Sequence, residues 1–500
     1  MTTVLAVAAA VLAGRAAQLQ LARRPSAPPA TQAAPSRPSR GRILDARGAV
    51  LADNVPRWEL DVIPARLRAQ RSAVARLAAA VGMGERDLDA LLEGRGQRVV
   101  RVREYLDEAA AEAVRRAAIP GAWLTPVEMR RYPQGAAVDP VVGVMRDMAP
   151  DDGAWPYGYR LGDRIGARGV ERSWDLTLRG NSTLAPTHQG MTLVAHVDLR
   201  LQRAAWDALD GSRGTAVAID PRDGRVLAYA TRDASEAPLR RMLDPILAAL
   251  ARAHGVSLDA RVPAVGPRGD GGRCDARGGP LLRDVVGWGC DARVVEVFRP
   301  ARVDVGAALR HVGLGQPTGI DLRDELAGAV YPLDPELTGS VWDPLGPLTV
   351  RATALQVAVA YSAIVNGGTV YQPRLVHEVR HPDGALESRT TPVVSDRVDL
   401  PTGEAQRTLA SLAQWADARR DAHAYDGLPQ LGAFGERATP PTASADWFVA
   451  VAPPESPRVV VVVMTHEPHE RADGAHPAVG AEPAALHVLR AWSRISSEFP

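Results

Sequence analysis

The stretch GTAVAIDPRDGRVLAYATRDASEAPLRRMLDPILAALARAHGV (214–256) decides the fold. Residues 214–220 and 225–230 are short, apolar and β-rich, and Asp220-Pro-Arg-Asp-Gly224 between them carries turn chemistry, so the pair predicts a hairpin. A polar loop follows. From Pro238 on, Leu239, Met242, Leu243, Ile246, Leu247 and Leu250 recur at helical spacing. A sheet edge feeding a helix start suits a nucleophile, because the helix dipole stabilises negative charge developing there. Yet the residues at this start are Arg240, Arg241, Met242, Leu243 and Asp244, with no serine, cysteine or lysine among them.

Working outward, a chain of 500 residues predicts two or three domains, and 46% apolar with 23% charged residues is enough for ordinary cores. A net charge of +1 argues against a nucleic-acid partner, which would demand a basic face. All 59 basic residues are arginine; the chain contains no lysine. Arginine keeps its proton at accessible pH and cannot act as a general base, so no lysine-dependent mechanism is open to this chain. Cys274 and Cys290, the only cysteines, have fifteen residues between them. The spacing fits a disulfide closing a loop outside the cytoplasm, worth roughly 3 kcal/mol. Two free thiols or half of a metal site are the alternatives, though no nearby His or Cys completes a metal site.

Upstream, residues 3–13 (TVLAVAAAVLA) are apolar but followed by Arg15, and are shorter than the ~20 residues a membrane span needs. They read as the distal part of a membrane anchor over 1–24, followed by a Pro/Ser-rich tether over 25–40. RGRILDARGAVLADN (40–54) is a strand, a turn and a second strand. Helices are expected at 67–81 and 106–118, and loops at 132–135 and 155–158. A domain boundary near 187–190 separates 41–187 from 188–500. Beyond it, 191–210 reads as a strand and a helix, and 262–280 as a Gly/Arg-rich loop. A helix near 291–298 and a strongly apolar one at 352–366 follow. The C-terminal part predicts a strand pair around 371–379, a helix at 403–419, strands at 445–453 and 458–465, and a last helix at 481–493. His466, His469 and His476 fall in what reads as a loop. Pro468 breaks any helix that would align two of them, so they are not a metal site.

Several segments resemble class B penicillin-binding proteins, in that family's order. RGRILDARGAVLADN is similar to the first strands of the family's dimerisation, or pedestal, domain. GYRLGDRIGARGVERSWDLTLRG resembles the segment joining that domain to the transpeptidase, through Gly166, Gly169, Glu171, Asp175, Leu178 and Gly180. DLRLQRAAWDAL, GTAVAIDPRDGRVLAYA, GLGQPTGIDL, TALQVAVAYSAIVNGGTVYQPRLV, DWFVAVAP and RVVVVVM each resemble transpeptidase segments, and AGRAAQLQL (13–21) the end of the membrane helix. The resemblance implies an α+β chain: a β-rich elongated N-terminal pedestal, then a transpeptidase-like antiparallel sheet flanked by helices. It also implies a single-pass protein of the cell membrane with its bulk extracytoplasmic.

The motifs that carry the family's chemistry are altered. Its nucleophile motif is Ser-x-x-Lys at a helix start, where the lysine takes the serine's proton. Aligned on Pro245, the serine position holds Arg241 and the lysine position Asp244; aligned on Pro238, they hold Arg240 and Leu243. Arg241 and Asp244 have the spacing to pair with each other. The Ser-x-Asn motif falls on Gly289-Cys290-Asp291. The Lys-Thr-Gly-Thr strand falls on Gly435-Glu436-Arg437-Ala438, which brings the negative Glu436 to a site meant for an anion.

The first reading is therefore a homologue without catalytic residues, needing neither cofactor nor metal. It would act as scaffold or regulator of peptidoglycan synthesis beside cell-wall synthesis proteins such as a membrane glycosyltransferase, and in contact with peptidoglycan itself. The second is a non-covalent sensor of muropeptides or β-lactams, with Arg240, Arg241 and Arg437 gripping a carboxylate; otherwise these arginines are solvated surface. The third is a D,D-transpeptidase with a displaced nucleophile at Ser235 or Ser444, although no suitable base adjoins either serine in the sequence.

Overall fold

The computed structural model describes residues 39–70, 72–152, 159, 163–180, 189–263, 274, 278–290, 292–331, 349–419, 425–428, 430–437, 445–466 and 480–497. Strands β1 (Ile43–Leu44) and β2 (Val50–Val62) form the expected strand–turn–strand. β3 (Val100–Leu106) and β4 (Ala122–Arg131) both pair with β2 in antiparallel fashion. Helices α1 (Pro64–Arg68), α2 (Ala73–Ala80), α3 (Glu85–Leu92) and α4 (Glu108–Ala117) close a core of Leu60, Leu67, Leu77, Leu88, Leu92 and Val114. The single helix expected at 67–81 is broken into α1 and α2. Between them Gln70 and Ser72 offer nothing apolar to bury, and Ser72 becomes the residue before the new helix.

The segment after β4 is held by charge. Glu171, fully buried, accepts from Arg40 Nε and Arg130 Nε, each at 2.7 Å. Asp175 takes the other arm of Arg40 at 2.8 Å and the backbone N–H of Gly166 at 3.0 Å. Gly169 sits at φ +65°, and a Cβ there would lie 2.5 Å from the backbone nitrogen of Gly143, so only glycine fits. The sheet then continues across residue 188: β5 (Thr192–Ala195) runs parallel to β1 and antiparallel to Val376–Arg380.

The C-terminal part is built on a five-stranded antiparallel sheet. It comprises β6 (Gly214–Ile219), β7 (Val226–Thr231), β9 (Gly432–Glu436), β10 (Ala445–Ala452) and β11 (Val459–His466), while β8 (Ala237–Leu239) pairs instead with Thr349–Ala352. The sheet order is β9–β10–β11–β6–β7. Val459 to Met464 are all fully buried. Successive strand residues face opposite sides, so both faces of the sheet are covered. Packed against it are α5 (Leu199–Ala208), α8 (Ala354–Val365) and α10 (Ala481–Ser497), with α6 (Asp244–Ala253), α7 (Leu282–Trp288) and α9 (Glu404–Asp417) beside its β9 edge. Every residue of α8 is buried, and Thr353 with Gln356 caps its start reciprocally.

Local expectations need correcting at several points. The helix read from Pro238 begins at Asp244. Residues 237–239 are drawn into β8, and Arg241–Leu243 form a 3-10 turn. The helix expected at 291–298 is a 3-10 turn over Val294–Phe298. His466 is the last residue of β11, with its N–H donating to the Arg213 carbonyl at 2.9 Å, whereas His469 and His476 lie outside the described residues. The expectation of a single-pass membrane protein is overturned: no helix among the described residues is long and apolar enough to cross a membrane. The eleven residues at 3–13, ten of them apolar, fall short of the ~20 that a span requires, and residues 1–38 lie outside the described set.

Candidate functional site

Three separate pieces of chain meet at the start of α6. Arg241 opens the 3-10 turn, whose side chain extends toward α7 and donates from Nη2 to the carbonyl oxygens of Gly289 at 2.5 Å and Cys290 at 3.3 Å. Its Nε lies 3.7 Å from Asp244 Oδ2, the expected i, i+3 pair, and its guanidinium sits 5.9 Å from the centroid of the Phe434 ring. Gly289 ends α7 at φ +67°, and a Cβ there would stand 3.1 Å from Trp415 Nε1. Cys290 is bonded to Cys274, with Cα atoms 5.4 Å apart. The crosslink anchors the carbonyls that Arg241 grips.

The third piece is the edge strand β9. Its last residue, Glu436, accepts the backbone N–H of Met242 at 3.3 Å, and Arg240 Nε lies 3.9 Å from the other carboxylate oxygen. Burial raises the Glu436 carboxyl above its ordinary value, against the opposing pull of the Met242 N–H, Arg240 and Arg241. Tyr361 in α8, fully buried, donates its hydroxyl to the Met242 carbonyl at 2.9 Å. Trp447 Nε1 donates to the Pro238 carbonyl at 3.2 Å. The turn is thus clamped from the sheet and from α8. A carboxylate aimed at the N–H groups of a helix start does what a bound anion would do there.

Of the residues picked from sequence, Arg241, Asp244, Gly289, Gly435 and Glu436 come together here. Arg437 stands at the rim with a side chain 85% exposed, 3.8 Å from Glu482 Oε2. Asp291, Ala438 and Ser444 lie outside the described residues. Arg240 and Arg241 are not solvated surface: their side chains are only 26% and 28% exposed and engage the cleft. The roles of Tyr361, Phe434 and Trp415 had no sequence signal, since each reads simply as an apolar core position.

Ser235 lies apart, in the loop between β7 and β8, and the expectation that it lacks a base is wrong. Its Oγ is 2.6 Å from His466 Nε2, although 231 residues separate the two in the chain. Asp233 Oδ2 lies 3.7 Å from the same nitrogen.

Two family models match: the penicillin-binding protein dimerisation domain over residues 35–188, and the penicillin-binding protein transpeptidase domain over 304–482. Stage V sporulation protein D of Bacillus subtilis is 24% identical over 404 residues, covering 69% of this chain and 60% of that protein. Penicillin-binding protein PbpB of Mycolicibacterium smegmatis is 29% identical over 203 residues, 37% of this chain and 30% of that protein. The chain thus spans 60% and 30% of the length of these two relatives, less than two thirds of either. Peptidoglycan D,D-transpeptidase MrdA of Haemophilus influenzae is 23% identical over 91% of this chain and 84% of its own length. Among solved structures, penicillin-binding protein 2 of Helicobacter pylori superposes with a TM-score of 0.70 at 15% identity, covering 92% of this chain and 98% of that one. The same protein in complex with MreC superposes with a TM-score of 0.70 at 15% identity, covering 93% and 98%. With a dimerisation domain followed by a transpeptidase domain, both matched in that order, and relatives of that family along its length, this chain belongs to the class B penicillin-binding proteins.

Proposed function

We propose that this chain does not catalyse its family's transpeptidation and acts as a scaffold or regulator in peptidoglycan synthesis. One observation carries the reading: the start of α6 is filled from within the chain. Glu436 accepts the Met242 N–H, and Arg241 Nε lies 3.7 Å from Asp244 Oδ2. Aligned on Pro245, Arg241 and Asp244 take the places of the family's acylating serine and its lysine. Without a nucleophile and a neutral amine base, acyl transfer loses orders of magnitude in rate. Once ionised, Glu436 also repels the carboxylate that a stem peptide or a β-lactam carries. The transpeptidase family match begins only at residue 304, after α6 and Gly289, which supports divergence of this part of the cleft.

The N-terminal part retains the family's form, and the likeness to a penicillin-binding protein 2 that assembles with MreC supports a cell-wall protein as partner. A glycosyltransferase of the same machinery is the partner we favour. Intact-mass analysis after incubation with labelled penicillin tests the reading: no adduct is expected, and a stoichiometric one overturns it. Docking of that partner we assign to the N-terminal part, and a pull-down of cell-wall synthesis proteins that survives deletion of residues 41–185 would overturn this. Muropeptide binding without acylation would replace the scaffold by a sensor.

A further inference from the structure

We propose that Ser235 and His466 form a second reactive centre, outside the α6 cleft, that transfers short acyl groups from carboxylic esters. This inference does not rest on the fate of the cleft. His466 is fixed at the end of β11, and its Nε2 lies 2.6 Å from Ser235 Oγ. With the imidazole proton on Nδ1, Nε2 accepts the serine hydroxyl, the arrangement of a nucleophile and its general base. Asp233 Oδ2 stands 3.7 Å from the same nitrogen and is held by Arg213 through Nε at 3.1 Å and Nη2 at 2.7 Å. A fixed carboxylate at that distance stabilises the imidazolium that proton transfer creates. The loop carrying Ser235 is itself pinned: Asp233 donates its N–H to Thr231 Oγ1 at 3.2 Å, and Thr215 Oγ1 pairs with Thr231 Oγ1 at 2.9 Å.

Ser235 also faces a space where an acyl group fits. Together with Thr215, Tyr229, Thr231, Ile320 and Leu355 it lines a cavity of about 160 Å³. That is on the order of five water volumes at ~30 Å³ each. The space admits an acetyl or butyryl group. Chemically, Ser235 Oγ attacks the ester carbonyl carbon and its proton passes to His466 Nε2. The C–O bond to the alcohol breaks, and the departing oxygen takes that proton. Water then attacks the acyl-serine, with His466 again accepting the proton and returning it to Ser235 Oγ, and the short carboxylic acid leaves.

The test uses the full chain and a fluorophosphonate probe, with the adduct located by peptide mapping. Labelling of Ser235 is expected, absent in Ser235→Ala and slowed at least about tenfold in His466→Gln, the loss typical of a removed general base being 10²–10⁴-fold. p-Nitrophenyl acetate should be hydrolysed and p-nitrophenyl octanoate should not. Thermal melts identical to wild type show that each variant is folded, and Ser235→Cys should still react with iodoacetamide in a His466-dependent manner. No label at Ser235 in the folded protein, a rate unaffected by His466→Gln, or equal hydrolysis of both esters overturns the proposal. A penicillin adduct elsewhere would overturn the non-catalytic reading of the cleft and leave this one standing.

Discussion

Glu436 is a carboxyl whose ionisation the cleft resists. Burial raises its folded-state pKa above the unfolded value, so its contribution to stability is full below the ordinary carboxylate range. That contribution is lost as pH rises through the raised value. Glu436→Gln keeps the shape and the acceptor for Met242 N–H but cannot ionise. Relative to this variant, the wild type is expected to lose stability as pH rises from about 4 toward neutrality. Urea midpoints measured across that range check it, and parallel curves would show that Glu436 does not titrate with folding. The charge of this residue and its nearness to an anion site were readable from the sequence alone. Its hydrogen bond to Met242 was not, because it joins groups 194 residues apart. The same limit hid His466 from Ser235: sequence neighbours decide turns and helices, but a base and a hydroxyl can meet across the whole chain.

At the scale of elements, α6, α7 and β9 are separate pieces that pack into one cleft, and the Cys274–Cys290 crosslink ties the end of α7. Replacing both cysteines by serine should cost roughly 3 kcal/mol by the loop-entropy estimate. It should also loosen the Arg241 contacts to the Gly289 and Cys290 carbonyls. Chemical denaturation of the double variant measures the first effect. Amide exchange at Arg241–Leu243 reads the second, and unchanged exchange there would show that the crosslink does not support the turn. The hairpin β6–β7 and the pair β10–β11 were legible because unbroken apolar runs bounded by turn residues admit little else. The start of α6 was misplaced by six residues, from Pro238 to Asp244, since apolar spacing across 239–243 fits a helix as well as it fits a strand followed by a 3-10 turn. Pairing of β8 with Thr349–Ala352 settles the matter, and that pairing partner lies more than a hundred residues away.

For the molecule as a whole, the critical joint is the buried set Arg40, Arg130, Glu171 and Asp175, which locks the segment after β4 to the chain's described start. Removing one member strands the others as uncompensated buried charge. Glu171→Ala should therefore destabilise by about 3–5 kcal/mol, seen as a lowered urea midpoint. A change below about 1 kcal/mol would mean that water reaches the arginines, as it does at surface pairs. The fold class, the order of segments and the missing serine and lysine at the start of α6 were legible in the sequence, through local apolar pattern, composition and resemblance to a known family. The sequence favoured a disulfide between the two cysteines and left free thiols and half a metal site open, and the structure closed that choice. The tertiary structure alone decided that Glu436 fills the start of α6, that Arg241 grips the far carbonyls of Gly289 and Cys290, and that His466 stands against Ser235. Those contacts depend on which distant strands become neighbours, and burial of apolar surface, which chooses the neighbours, is non-directional and leaves no local mark in the chain.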